Sequence, residues 1–454
     1  MQINPGNKFD VLVAGGGPSG AMAAIAAGRL GAKVLLIEQH GCLGGALTAM
    51  GVGPMMSFHN GAGEQIIRGL GQELVDRLIR RGKSPGHQKD NYCGTVTPFD
   101  SEALKIELDD MAAEAKVTVL FHTQLAEVAT GNNAVDSVLV CNKAGLTRFR
   151  GRVYVDATGD GDLAAFAGAP FVMGRKKDSA CQPMTMNLKV ANVDTEKVRR
   201  YALFRPGDFS FSKGREAGVE TIRKMRRLCL GGFFKAWEKA KASGEIDVPR
   251  ENVLIFEANE PGVFIVNTSR VQGLNATDPG EISRAETIGR KQCEDIFRFL
   301  KRRCPGFEKA VRMDSPGHIG VRESRHIRGL YTLTQDDLVS ERRFPDPVAL
   351  GGYPIDIHSP DKSRTSHVML RPGAIYQVPL KTLLVKKPGN LIIAGRSISA
   401  THEAAAAIRV TPIMMAVGQA AGTLAALAVE SGKKPSEVPY PDLKKALIRG
   451  KALL

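Results

Sequence analysis

The sequence predicts an α/β fold in which a doubly wound domain is assembled from both ends of the chain, residues 1–165 and 376–454, with a mixed α+β domain inserted over 166–375. Three observations carry this. Residues 9–38, FDVLVAGGGPSGAMAAIAAGRLGAKVLLIE, read as strand, glycine turn, Ala-rich helix and strand, a βαβ unit at the start of the chain. Beyond Ala165 the doubly wound pattern stops. A buried strand returns at LIIAGRSISA, residues 391–400, and an uncharged helix follows it.

The elements between follow from periodicity and punctuation. Over 62–81, Ile66, Ile67, Leu70, Leu74, Val75, Leu78 and Ile79 share one stripe, which predicts a surface helix. Over 101–115 a second helix is predicted, with Asp100 as its N-cap and Phe99 placed to pack on Leu104. Short β signals crowd together at 117–121, 135–140 and 152–156. Residues 195–250 are strongly basic and read as helices, for example ETIRKMRRLCLGGFFKAWEKA, with a solvated face or an acidic partner as the two explanations of their charge. A helix is predicted at 284–301 among strands and Pro-rich loops. In the final helix Thr411 is placed to cap and Pro412 suits the first turn, so its positive end is available to a bound anion.

With 454 residues, 43% hydrophobic and 24% charged, the chain can bury a large core, and disordered, collagenous and coiled-coil proteins are excluded. The formal charge of +15 leaves nucleic acid, a membrane surface or an anionic small molecule to be weighed as partners. The seven cysteines are scattered without a C-x-x-C pair, so neither a disulfide framework nor a metal site is expected. No apolar leader opens the sequence, and a cytoplasmic protein is expected. Twenty uncharged residues lie between Arg409 and Glu430, long enough to cross a bilayer, but they hold Thr411, Pro412, Gln419 and Thr423 and are rich in Ala and Gly. A buried helix, with no membrane span, is therefore expected.

The chemistry begins with Gly15, Gly17 and Gly20, a G-x-G-x-x-G that follows the first strand and opens the first helix, with Pro18 and Ser19 between the last two glycines. Gly15 permits the tight turn, Gly17 lets backbone approach a pyrophosphate, and Gly20 allows close packing. Glu38 ends the second strand and suits an adenosine ribose. This is a Rossmann-like dinucleotide site. Gly44-Gly45 forms a second glycine turn, as needed beside a ribityl chain. Two further strands run into glycine turns at Thr158-Gly159 and Gly395-Arg396. A chain that returns to its nucleotide domain in this way resembles the glutathione-reductase-like FAD proteins.

The succession LGG after Glu38, FHNGAGEQIIRG (58–69), VDATGDGDLAAFAGAP (155–170), QPMT (182–185), GVRESRHIRG (320–329), GGYPIDIH (351–358), YQVPLKTLL (376–384) and the segment 394–426 resembles, in order and over nearly the whole chain, the bacterial FAD-dependent oxidoreductases related to fumarate reductase and succinate dehydrogenase flavoproteins. The resemblance implies FAD and redox chemistry without implying a substrate; hydride transfer with a small polar, anionic substrate is the expectation that Arg322 and Arg325 carry. Ala46-Leu47-Thr48 stand where covalent flavoproteins of that type carry a histidine, which favours noncovalent FAD, with His59 and His402 as alternative linkage points. No second G-x-G-x-x-G is present, so electrons are expected to pass through a second substrate or a separate redox protein. The alternative is a flavin subunit of a larger electron-transfer complex. A nucleic-acid partner rests on charge alone and is not expected; self-association is left open.

For catalysis, Arg322 and Arg325 suit the grip on a carboxylate, and His402, after the Gly395-Arg396 turn, suits a general base beside Glu403. If 322–328 is extended, Arg322, His326 and Arg328 share a face and Arg325 takes the other. An exposed basic strand and a structural histidine are the competing explanations. Tyr353, His358 and Tyr376 lie in motif loops suited to line the same cleft.

Overall fold

Val11, Leu12, Val13 and Ala14 are apolar without alternation, as a strand must be when both faces of its sheet are covered. In the computed structural model, which describes residues 8–210 and 215–454, the strand Lys8–Ala14 is fully buried from Val11 onward. It pairs in parallel with Val34–Ile37 on one side and with the second half of Gly145–Asp156 on the other. Thr118–Leu120 extends the sheet beyond Val34–Ile37, and Leu391–Ile393 pairs in parallel with the end of Gly145–Asp156. The first half of Gly145–Asp156 instead pairs antiparallel with Ala134–Asn142, and Gln124–Gly131 completes that arm. Ala14, Ile37, Asp156 and Ile393 lie in register at the carboxyl ends. Ligands bind at that edge of such sheets, because the chain must leave it in open turns.

Two helices cover one side by direct backbone approach. A Cβ at Gly418 would overlap the carbonyl of Ser19, and one at Gly422 the carbonyl of Ala23, so the helices Pro18–Arg29 and Thr411–Ser431 pack without intervening side chains. Thr411–Ser431 is long and apolar enough to cross a membrane, yet most of its residues are buried within the protein.

A five-stranded antiparallel sheet forms the second layer, in the order Cys229–Gly232, Val253–Glu257, Phe264–Val266, Leu188–Ala191 and Val311–Asp314. Pro279–Arg303 packs on this region, capped by Asp278, whose Oδ1 accepts from the Glu281 N–H at 2.8 Å. Asp100 likewise caps Ser101–Glu114, accepting from the N–H groups of Glu102 and Ala103.

Three local readings change. The helix expected over 62–81 begins only at Gly69. Asn60 Oδ1 accepts from the N–H groups of Ala62 and Glu64, a local bond that competes with helix formation, and Gly69 has φ +63°. Within the basic stretch, the helices Thr195–Phe204, Arg215–Lys224 and Phe234–Ala242 are interrupted by the strand Cys229–Gly232. Gly232 leaves no room for a Cβ beside the Phe209 ring, and tertiary packing there overrides the helical pattern. Thr411 is the first residue of its helix, not the cap; Val410 holds the cap position and no side chain caps the end.

Candidate active site

The four glycine turns at the carboxyl edge open into one cavity of about 1060 Å³. Pockets for drug-sized ligands occupy roughly 300–1,000 Å³, so this one has room for a dinucleotide together with a small molecule. Gly15, Gly17, Pro18, Ser19, Glu38, Gly45, Thr158, Gly159, Gly395 and Arg396 line it; Gly20 and Gly44 stand behind the wall.

The glycines divide by what a side chain would meet. Gly15 has φ +94°, and a Cβ there would strike the Ala157 carbonyl. A Cβ at Gly20 would overlap the Gly15 carbonyl, so these two hold the turn itself. At Gly17 a Cβ would meet no protein atom within 4 Å. Gly17 is therefore small for the sake of what enters the cavity. Gly45 presses the second turn onto the first, its Cβ position lying 2.8 Å from the Gly17 Cα.

The polar groups at this end fit a dinucleotide. Glu38 Oε2 accepts from the Gly16 N–H at 2.6 Å and Oε1 from the His40 N–H at 2.8 Å, which leaves lone pairs on both oxygens for ribose hydroxyls. Burial raises this carboxyl, and the two N–H groups oppose the rise. The helix Pro18–Arg29 has no side-chain cap, and Ser19 Oγ is buried without a partner. An uncapped helix start with a free hydroxyl suits a pyrophosphate. Arg396 Nε is also buried and unpartnered, while its Nη2 donates to Asp160 Oδ1 at 2.6 Å. Val410, Thr411 and Met414 bring the uncapped start of the helix Thr411–Ser431 to the same cavity, where its positive end can offset negative charge on a bound group. Behind the Thr158 turn, Asp156 accepts from Thr158 N–H and Oγ1 and from the Ala164 N–H; full burial pushes its carboxyl up to about 6.

The sequence-derived catalytic trio is dispersed. His402 does not line the cavity. It is 5% exposed, and its Nδ1 lies 2.8 Å from both oxygens of Glu323, which His326 Nε2 also meets at 2.9 Å and the Gln182 N–H at 2.8 Å. Burial alone would raise the Glu323 carboxyl, but the hydrogen bonds from His326 and His402 outweigh it and lower it to about 2. This buried cluster ties together three motif segments. Arg325 is also off the cavity wall, its Nη1 held by Asp160 O at 3.0 Å and Asp162 Oδ1 at 2.7 Å. Only Arg325–Ile327 of the 322–328 run is a strand, so the expected sharing of faces does not arise. Arg322 does line the cavity, donating through Nη1 to Pro183 O and Thr185 Oγ1, each at 2.6 Å. Tyr353 and His358 line it too; Tyr376 is buried behind, 3.3 Å from the Tyr353 carbonyl.

Sequence reasoning missed the groups that furnish the far end: Arg250, Arg270 and Arg409 beside Arg322, and an acid–base network around Asp356. Tyr353 Oη donates to Asp356 Oδ2 at 3.2 Å, His358 Nε2 lies 3.3 Å from the same oxygen, and His367 Nδ1 lies 3.3 Å from Oδ1 and 2.6 Å from Tyr92 Oη. Burial would raise Asp356, but His358, His367 and Arg409 hold it well below the usual carboxylate range. Burial, with Arg322 close by, holds His358 well below its ordinary value. One signal was available: Arg409 is the single charge between Ala404 and Val429.

The dihydrolipoyl dehydrogenase of Trypanosoma brucei brucei is 30% identical over 145 residues, 25% of this chain and 30% of that one, so the likeness is confined to a part of each. A geranylgeranyl bacteriochlorophyll reductase-like protein of Thermoplasma acidophilum aligns over 98% of this chain and 84% of its own at 14% identity, TM-score 0.47. The p-nitrophenol 4-monooxygenase PnpA of Pseudomonas putida DLL-E4 aligns over 98% and 87% at 13% identity, TM-score 0.45. Neither likeness speaks to substrate. The family described as FAD dependent oxidoreductase matches residues 10–447, the whole span that builds the cavity. The chain belongs to the FAD dependent oxidoreductase family, an enzyme with FAD as its cofactor.

Proposed function

We propose that this enzyme passes hydride between a small, polar, anionic substrate and noncovalently held FAD, with a separate acceptor or donor completing the cycle. One observation carries the reading: a single cavity joins the glycine turns and Glu38 to the end lined by arginines and the Asp356 network. The succession of motifs that resembles fumarate reductase and succinate dehydrogenase flavoproteins supports the same chemistry. When bound, FAD supplies a two-electron acceptor or donor.

The chain's own residues then have distinct tasks. Gly15, Gly17, Ser19, Glu38 and Gly45 receive the dinucleotide, and Arg322 with its neighbours receives the anion. His358 handles the proton. It is neutral at pH 7 because burial and Arg322 disfavour its charged form; Nε2–H faces Asp356 Oδ2 at 3.3 Å, so Nδ1 is the nitrogen that can accept a proton from substrate, and Asp356 then stabilises the imidazolium. His402 cannot take that role while Glu323 engages it away from the cavity.

An anaerobic screen of small carboxylic and phosphorylated acids for bleaching of the flavin band tests the reading. A bleaching substrate is expected. With it, His358→Gln is expected to keep FAD and lower the limiting bleaching rate by roughly 10²- to 10⁴-fold, the usual contribution of a general base. His402→Gln is expected to leave that limiting rate within about threefold. The reverse pattern would restore His402 as the base and remove His358 from the mechanism.

A further inference from the structure

Buried guanidinium groups are ordinarily paired, because an unpaired buried charge is costly. The far end of the cavity breaks this rule repeatedly. Arg250 is 4% exposed, and its Nε and Nη1 have no hydrogen-bond partner. Arg270 is 1% exposed; its Nη atoms donate to the carbonyls of Ser359, Ser363 and Arg364, and its Nε has no partner. Arg409 Nε is buried and unpartnered as well. All three line the cavity with Arg322.

The acids nearby do not balance them. Asp356 lies 3.9 Å from Arg409 but already meets His358, His367 and Tyr353. Glu251, also on the wall, pairs with the exposed Arg364 at 3.3 Å. The arginines therefore crowd one another: burial, followed by Arg270, lowers Arg250 to about 10, and burial with Arg409, Arg250 and Arg270 lowers Arg322. A single negative charge would relieve only part of this repulsion.

We propose that this end of the cavity binds an anion bearing at least two negative charges on carboxylate or phosphoryl oxygens, gripped by Arg250, Arg270, Arg322 and Arg409. The inference deepens the proposed function and rests on its reading that this end receives the substrate. A guanidinium fork matches either oxyanion with paired N–H donors, and Arg250 presents two such donors free.

The test uses the FAD-loaded protein titrated with succinate, inorganic phosphate and acetate at matched ionic strength, read by thermal melting and by perturbation of the flavin band. Succinate or phosphate is expected to bind where acetate does not, and the tighter of the two names the oxyanion. Arg250→Met and Arg409→Met are expected to weaken that binding roughly 10- to 150-fold, the effect of losing a charge-assisted pair. Arg250→Lys, which keeps the charge but not the paired donors, is expected to fall between parent and Arg250→Met. Equal binding of all three anions, or unchanged binding in both Met variants, overturns the proposal. The anaerobic bleaching screen separates the two readings. A protein that bleaches with an acid yet is indifferent to succinate and phosphate removes only the arginine site, whereas one that binds them but is bleached by no acid removes only the hydride reading.

Discussion

Gly17→Val is expected to yield folded, colourless protein. The position has φ −62° and extended ψ, open to any residue, and a Cβ there meets no protein atom within 4 Å. The added bulk therefore costs the apoprotein little and falls in the space that the dinucleotide must occupy. Loss of tenfold or more in FAD affinity is expected, about 1.4 kcal/mol for each decade. Gly20→Val is the contrasting case, because its Cβ overlaps the Gly15 carbonyl and the turn itself must break. The ratio of flavin to protein absorbance, read beside the melting temperature of the flavin-free protein, distinguishes them. Full flavin in Gly17→Val would show that the pyrophosphate lies elsewhere.

Glu323→Ala is expected to be among the most destabilising single changes away from the cavity. It leaves His326 and His402 buried around a void, and breaking a buried pair typically costs roughly 3–5 kcal/mol. Glu323→Gln, which keeps the shape, isolates the charge. The folded carboxyl is lowered to about 2, below an unfolded glutamate at about 4.3. A depressed acid contributes stability above the unfolded value and loses it as pH falls toward the folded one, so the parent should weaken between about pH 4.3 and 2. Glu323→Gln should lack this part of the acid limb. Denaturant melts of the FAD-loaded proteins at pH 7 and pH 3 measure both effects. A Gln variant equal to the parent at both pH values would leave Glu323 without an energetic role.

What could be read in advance was local. The first βαβ unit, the caps at Asp100 and the buried returning strand follow from runs of ten to thirty residues in which each glycine or apolar side chain has a neighbour close in sequence. The errors share a cause. The helix expected over 62–81 lost residues 62–68, about two turns, beside the Asn60 side chain, and the helical reading around 229–232 gave way to a sheet edge facing Phe209. In each case a bond or contact outside the periodic pattern decided the backbone.

The residues at 15, 17, 38, 45, 159 and 395 belong to turns that follow strands, and strand ends are legible one at a time. The sequence by itself therefore determined the FAD fold and the dinucleotide turn. Only tertiary structure decided which ionisable side chains face the cavity. His402 and Arg325 stand in motifs yet are taken by Glu323 and Asp162, whose partnerships span 79 and 163 residues. Arg250, Arg270, Arg409 and Asp356 come from four separate segments and meet only when the inserted layer folds over the sheet edge. Charge at such a distance along the chain has no periodicity to betray it, because its energy depends on separation and burial in space.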